Sequence, residues 1–168
     1  RRRRLRAIAA STPSPPTPLG NSDTPGCAFG VAVVGTTAYV ADGESGLQVI
    51  DISNPSAPKL LGGYDTPGLA SGVAVVGTTA YVADDTGGLQ VIDVSKPSEP
   101  NFLSSYDTPD KAEGIAVMGT MAYVADGYSG LQIIHIPDCG EACGCPDDAT
   151  PPTGCISGKM SDVSGNPL

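Results

Sequence analysis

The chain repeats itself. The segment GVAVVGTTAYVADGESGLQVIDIS, Gly30 to Ser53, returns as Gly72 to Ser95 and again, with more substitutions, as Gly114 to Pro137, a period of 42 residues without insertion in any copy. A fixed period of roughly 40 to 45 residues made of short apolar runs is the signature of a four-stranded propeller blade, a unit that hides its apolar faces only by stacking on its neighbours. The expected fold class is therefore all-β: three four-stranded propeller blades of period 42, as an open arc or as part of a larger ring. A chain of 168 residues has room for these copies and their tails, and for no second complete domain.

The strands follow from the pattern inside one copy. With 22 Gly and 16 Pro, and with Val, Ile, Leu and Ala in runs of four to six, tight turns between short strands are favoured over helices. Strand one is Val31 to Val34. Gly35-Thr36 then places Gly at the first central position of a two-residue hairpin, the preference of a type II′ turn. Strand two runs from Thr37 to Ala41 and strand three from Leu47 to Ile52, with a shorter fourth strand near Leu60 to Tyr64. The small residues of strand one suit the crowded axis of a propeller, and Tyr64 and Tyr106 fall outward. After strand four, Thr66-Pro67-Gly68 and its copy Thr24-Pro25-Gly26 favour a type II turn. Asp110 replaces the Gly in the third copy, so that junction is expected to differ in local backbone.

The repeat register also gives the domain boundaries. Residues 1–12 form a basic, Pro-rich N-terminal tail whose arginine run, Arg1 to Arg4 with Arg6, reads as upstream or vector-derived sequence. Residues 13–136 carry the blades. Within them Pro13, Pro16, Leu19, Gly20, Asp23, Thr24 and Pro25 map onto Pro55, Pro58, Leu61, Gly62, Asp65, Thr66 and Pro67, so this stretch is the fourth-strand region of a blade whose other strands are absent or degraded. The third copy stops after strand three at Ile136. Three blades do not close a ring, since propellers use about four to eight. Closure falls to missing blades of a larger ring, the favoured reading, or to a homodimer in which two copies join head to tail.

The strings YVAD, GLQVIDIS, NPSAP and YDTPG resemble the LVIVD repeat family, propeller repeats of large exported proteins. The resemblance spans about Pro13 to Ile136, and departs from the family pattern at Leu47-Gln48-Val49-Ile50-Asp51 and at Ile133-Ile134-His135. It implies a propeller outside the cell or on its surface, with no catalytic residues to carry over. Residues 156–168, ISGKMSDVSGNPL, are similar to the opening of a carboxypeptidase regulatory-like β-sandwich, departing at Met160, which implies the first strand of a truncated second domain.

Between these lies a Cys-rich linker, residues 137–155. Cys139, Cys143, Cys145 and Cys155 are the disulfide candidates of an exported chain, their pairing left open by spacing alone. Cys27 makes the total five, and so is free or paired elsewhere. His135, Cys139, Cys143 and Cys145 also give H-x3-C-x3-C-x-C, which does not fit the usual paired C-x2-C of zinc sites.

Charge narrows the partners. Apart from the five arginines, four lysines face eighteen carboxylates, a balance of 4 − 18 = −14. Such a body repels phosphate backbones, which disfavours nucleic acid and leaves basic, protein or glycan partners. No apolar run approaches the roughly 18 residues of a spanning helix, so no membrane span is expected. Asn54 is followed by Pro55 and makes no sequon.

Candidate chemistry is sparse. Asp42, Asp84 and Asp126 recur at the end of strand two, and Asp23, Asp65 and Asp107 before each turn. One carboxylate per blade is a weak candidate set for Ca2+, with Asp42, Asp84 and Asp126 as the ligands; the plainer reading is that Asp in a turn accepts backbone N–H bonds. His135 replaces Asp51 and Asp93, and stands without the partners a general base needs. No phosphate loop, nucleophile elbow or zinc-protease helix is present. The expected function is a non-catalytic propeller module of a secreted or cell-surface protein with structural, adhesive or binding roles. The alternative is a Ca2+-dependent scaffold or enzyme whose site needs further blades.

Overall fold

Short, nearly continuous apolar runs make the strands, covered on both faces where sheets stack, and glycine sets the turns between them. The computed structural model describes residues 15–136. The disulfide candidates Cys139, Cys143, Cys145 and Cys155 and the sandwich-like segment lie outside the described residues. The first sheet contains β1 (Gly30–Val34), β2 (Thr37–Ala41), β3 (Leu47–Asp51) and β4 (Lys59–Tyr64), hydrogen-bonded in that order. The second repeats it with β5 (Gly72–Val76), β6 (Thr79–Ala83), β7 (Leu89–Asp93) and β8 (Asn101–Tyr106). Among the described residues the third sheet has three strands, β9 (Ala112–Met118), β10 (Met121–Asp126) and β11 (Leu131–His135), with a 3-10 turn at Gly127–Ser129.

All strand pairs are antiparallel and their register repeats, Val34 opposite Thr37 and Val76 opposite Thr79. That leaves Gly35-Thr36 as the two-residue turn, and Gly35 has a φ of +59°, the left-handed value a first central Gly supplies in a type II′ hairpin. No helix among the described residues is long and apolar enough to cross a membrane.

The core lies between the sheets. On β2, Tyr39 and Ala41 point to one face and Ala38 and Val40 to the other, and all four are buried. Tyr39, Ala41, Leu47 and Val49 pack against Ala80, Val82 and Ile92 of the second sheet and against Ala70 and Val94, which flank its strands. Between the second and third sheets, Ala83 meets Ala112 and Val124, and Leu89 meets Ala122 and Ile136. Full burial of a side chain such as Leu47 contributes about 1.5–3 kcal/mol, so each junction is held by several such side chains.

The innermost strands meet at glycine. A Cβ added to Gly30 would stand 3.1 Å from Gly72 Cα, and one added to Gly72 would stand 3.1 Å from Gly114 Cα. Small residues at this station let successive inner strands approach a shared axis, and the three sheets form an arc that is not closed. Backbone bridges tie the sheets as well. Gly43 N–H donates to Ala70 O at 3.0 Å and receives Ala70 N–H at 3.1 Å, and Asp85 and Ala112 repeat the exchange at 2.9 and 3.0 Å.

The third blade has three strands among the described residues, as expected of a copy that stops after strand three at Ile136. One expectation needs adjustment. Residues 15–29, placed by register in a fourth-strand region, form no ladder, because no partner strand lies beside them.

Candidate functional site

The recurrent aspartates stand at the end of the second strand of each sheet, Asp42 and Asp84 just after β2 and β6 and Asp126 as the last residue of β10. Asp42, Asp84 and Asp126 are fully buried, a costly place for a carboxylate unless hydrogen bonds meet it. They come from the turn of the preceding repeat. Thr24 Oγ1 donates to Asp42 Oδ1 at 2.5 Å and Gly26 N–H to Oδ2 at 2.7 Å. One repeat later, Thr66 Oγ1 donates to Asp84 Oδ1 at 2.5 Å and Gly68 N–H to Oδ2 at 2.8 Å. Asp84 thus clamps the Thr-Pro-Gly turn that links the first two blades, and Asp42 clamps the matching turn that leads into the first.

The turn must come very close to do this. A Cβ on Gly68 would lie 2.0 Å from the carbonyl oxygen of Asp84, so only glycine fits. Burial raises the pKa of Asp84, and the bonds from Thr66 and Gly68 oppose that rise without cancelling it. The adjoining loop is tied down by glutamine: Gln48 Nε2 donates to Ser45 O at 2.6 Å and Gln90 Nε2 to Gly87 O at 2.5 Å.

The third clamp is looser. Asp110 N–H donates to both oxygens of Asp126 at 3.3 Å, while the Thr108 hydroxyl turns away to Asp110 O at 3.1 Å. The Asp110 carboxylate instead accepts Tyr128 N–H at 2.7 Å. The side chain that replaces glycine therefore redirects the turn.

The remaining acids are scattered. Asp23, Asp65 and Asp107 are exposed. Asp85 pairs with Lys111 at 3.1 Å across the second junction. Asp51 Oδ1 and Asp93 Oδ1 accept the N–H of Ser53 and Ser95, both at 2.8 Å. His135 holds the same station at the exposed end of β11, where the residue two places on is Pro137, which has no N–H to offer an aspartate. Asp42, Asp84 and Asp126 stay apart, one to each sheet, and among the described residues no three His, Cys, Asp or Glu side chains are grouped as a metal site would require. Every buried side-chain N or O among the described residues has a hydrogen-bond partner. Cys27 is an exposed free thiol.

Threonine and glutamine were the functional residues missed in sequence. Thr24, Thr66, Gln48 and Gln90 recur in phase with the aspartates, and that recurrence was the available signal. A shallow groove of about 410 Å3 opens at the outer rim between the first two blades, lined by Tyr64, Asp65, Thr66, Pro67, Gln90 and Phe102 among others. Tyr64 and Phe102 stack across it with ring centres 6.5 Å apart.

The family profile described as LVIVD repeat matches residues 25–66, 67–108 and 109–139. No curated protein matches the chain. Among solved structures, the computationally designed Ika8 protein shares 8% identity at a TM-score of 0.48, over 63% of this chain and 32% of that one, so this chain spans about a third of its length. The designed Ika4 protein shares 9% identity at a TM-score of 0.45, over 74% of this chain and 100% of that one.

Proposed function

Because the chain belongs to the LVIVD repeat family, we propose that it is a non-catalytic display module of an exported or cell-surface protein, presenting its rim to a protein or glycan. One observation carries this reading: the polar residues that recur from copy to copy are engaged with one another at blade junctions, as Thr66, Gly68 and Asp84 are. They hold blades together and leave the rim loops and the Tyr64–Phe102 groove as the surface offered outward. Two aromatic rings beside Asp65, Gln90 and Ser105 suit a ligand with an apolar face and a polar edge, as a sugar ring has. The strongly acidic body and the clustered cysteines support a place outside the cell.

The test has two arms. Thermal melting with CaCl2 against EDTA is expected to give the same midpoint, since hydrogen-bond donors already meet the clamped carboxylates. A panel of soluble glycans and basic peptides, followed by NMR, is expected to shift the Tyr64 and Phe102 rings, with the shift lost in Phe102→Ala. A large Ca2+-dependent rise in melting temperature, or binding that ignores Phe102→Ala, would overturn the proposal.

A further inference from the structure

The two ends of the arc expose complementary halves of the same blade junction. Leu47 and Leu89 are 0% and 1% exposed beneath the following sheet, whereas Leu131, at the same station in the third blade, is 62% exposed. Val49 is likewise 0% exposed and its counterpart Ile133 is 61% exposed. Tyr123 and Ala125 complete the face, in the places of Tyr39 and Ala41, which are buried against the second sheet.

The opposite face of the first blade repeats the receiving half. Ala70, Val73, Val75, Ala80, Val82 and Ile92 take up the first sheet. One period earlier these positions are Ala28, Val31, Val33, Ala38, Val40 and Ile50, identical at all six. Here Val31 and Val33 are 65% and 58% exposed, and an apolar hollow of about 210 Å3 lies among Ala28, Phe29, Gly30, Val31 and Val40. The matching residues Ala70, Val73 and Val82 belong to the filled core between the first two blades.

A second observation, on the backbone, agrees. The third sheet ends at β11, with no fourth strand among the described residues, while residues 15–29 follow a fourth-strand track with no sheet to join. Their placement against the first blade copies that of β4 against the second. A Cβ on Gly20 would meet Pro55 O at 2.3 Å, as one on Gly62 would meet the equivalent Pro97 O at 2.9 Å. Thr24 and Gly26 grip Asp42 as Thr66 and Gly68 grip Asp84.

We propose that a second copy of this chain docks head to tail, so that Tyr123, Ala125, Leu131 and Ile133 of each copy cover the exposed Val31 and Val33 of the other, above the already buried Val40 and Ile50. The free edge of β11 then lies beside residues 17–22 of the other copy, in the register that sets Val49 opposite Gly62, which places Ile133 opposite Gly20. This arrangement supplies the uncovered face, the unfilled hollow and the unpaired strand with their partners together. Two copies give six blades, inside the range of about four to eight that propellers use, and three would exceed it. Each of the two contacts joins unlike faces, and the twofold axis pairs them so that the ring closes and no apolar face is left to propagate a filament.

Light scattering on the full chain tests it. The expected result is a particle of two chains. Ile133→Asp and Val31→Asp alter exposed side chains, so each monomer should keep its circular dichroism spectrum. Each variant alone should weaken association on the order of a hundredfold, because a carboxylate enters an apolar contact. Mixing the two variants should restore a dimer through the one contact in which both faces are unaltered. A folded monomer for the unmodified chain would overturn the proposal. So would a dimer that survives Ile133→Asp, or one that responds to Ile133→Asp and ignores Val31→Asp.

Discussion

Thr66→Val isolates the clamp from everything else in the blade. The substitution keeps the shape of the side chain and deletes the hydroxyl that donates to Asp84 Oδ1 at 2.5 Å. Asp84 stays buried with one remaining donor from this turn, Gly68 N–H at 2.8 Å. A hydrogen bond to a charged group contributes about 1.5–3 kcal/mol, and each kcal/mol moves the midpoint of a domain this size by about 4 °C. The expected loss is therefore about 6–12 °C at neutral pH. Acid should shrink it. Burial already holds the pKa of Asp84 above its unfolded value, and the Thr66 bond opposes that rise. The stability tied to Asp84 is thus complete below the unfolded pKa of about 3.9 and is lost as pH rises through the folded value. Valine raises the folded pKa further, so its cost is largest where the carboxylate must be charged and smallest near pH 4. Thr108→Val is the internal control. Its hydroxyl donates to Asp110 O rather than to Asp126, and a neutral bond of about 0.5–1.5 kcal/mol predicts a loss of about 2–6 °C. Equal losses at the two threonines, or a loss at Thr66 that grows on acidification, would refute the reasoning.

Two further outcomes follow from single positions. Gly68→Ala should cost more than about 3 kcal/mol in denaturant unfolding, because the new Cβ meets Asp84 O at 2.0 Å. Gly77→Ala should cost only about 1–2 kcal/mol, the strain of its left-handed backbone in open space; the reverse order would discredit the clamp. By NMR titration, Asp51 should protonate below the ordinary carboxylate range because Ser53 N–H donates to it, aided by the Ser53 hydroxyl. The small stability linked to that depression is present above the unfolded pKa and lost as pH falls through the folded one. Ser53→Pro, which removes the N–H, should move the titration upward.

The period made most of the fold legible. Once Gly30, Gly72 and Gly114 are seen to recur without a gap, the hairpin at Gly35-Thr36, the inner strands of small residues and the blade-on-blade core follow from turn chemistry and alternation. The exposure of individual apolar residues was less legible. Leu47 and Leu131 read identically in sequence, and only the presence of a following sheet makes one a core residue and the other a surface patch. Residues 15–29 show the same limit. Their match to β4 is a match of positions, and a strand forms only where another chain segment offers its N–H and C=O groups.

The role of the aspartates was harder to read, for a reason of distance along the chain. A carboxylate that recurs once per blade can serve a cation or a turn, the turn being the plainer reading, but local turn templates reach two or three residues, as Asp51 reaches Ser53. The donors to Asp84 stand 18 and 16 residues upstream, beyond any such template. What the chain does contain is a comparison with itself. Thr and Gly keep step with the Asp in the first two turns, and in the third the Gly becomes Asp110, where the bonds to Asp126 lengthen to 3.3 Å and the threonine lets go. A backbone N–H that must approach a buried carboxylate needs that glycine, and the coincidence of its loss with the slackened contact is the sign that the three residues act as one clamp.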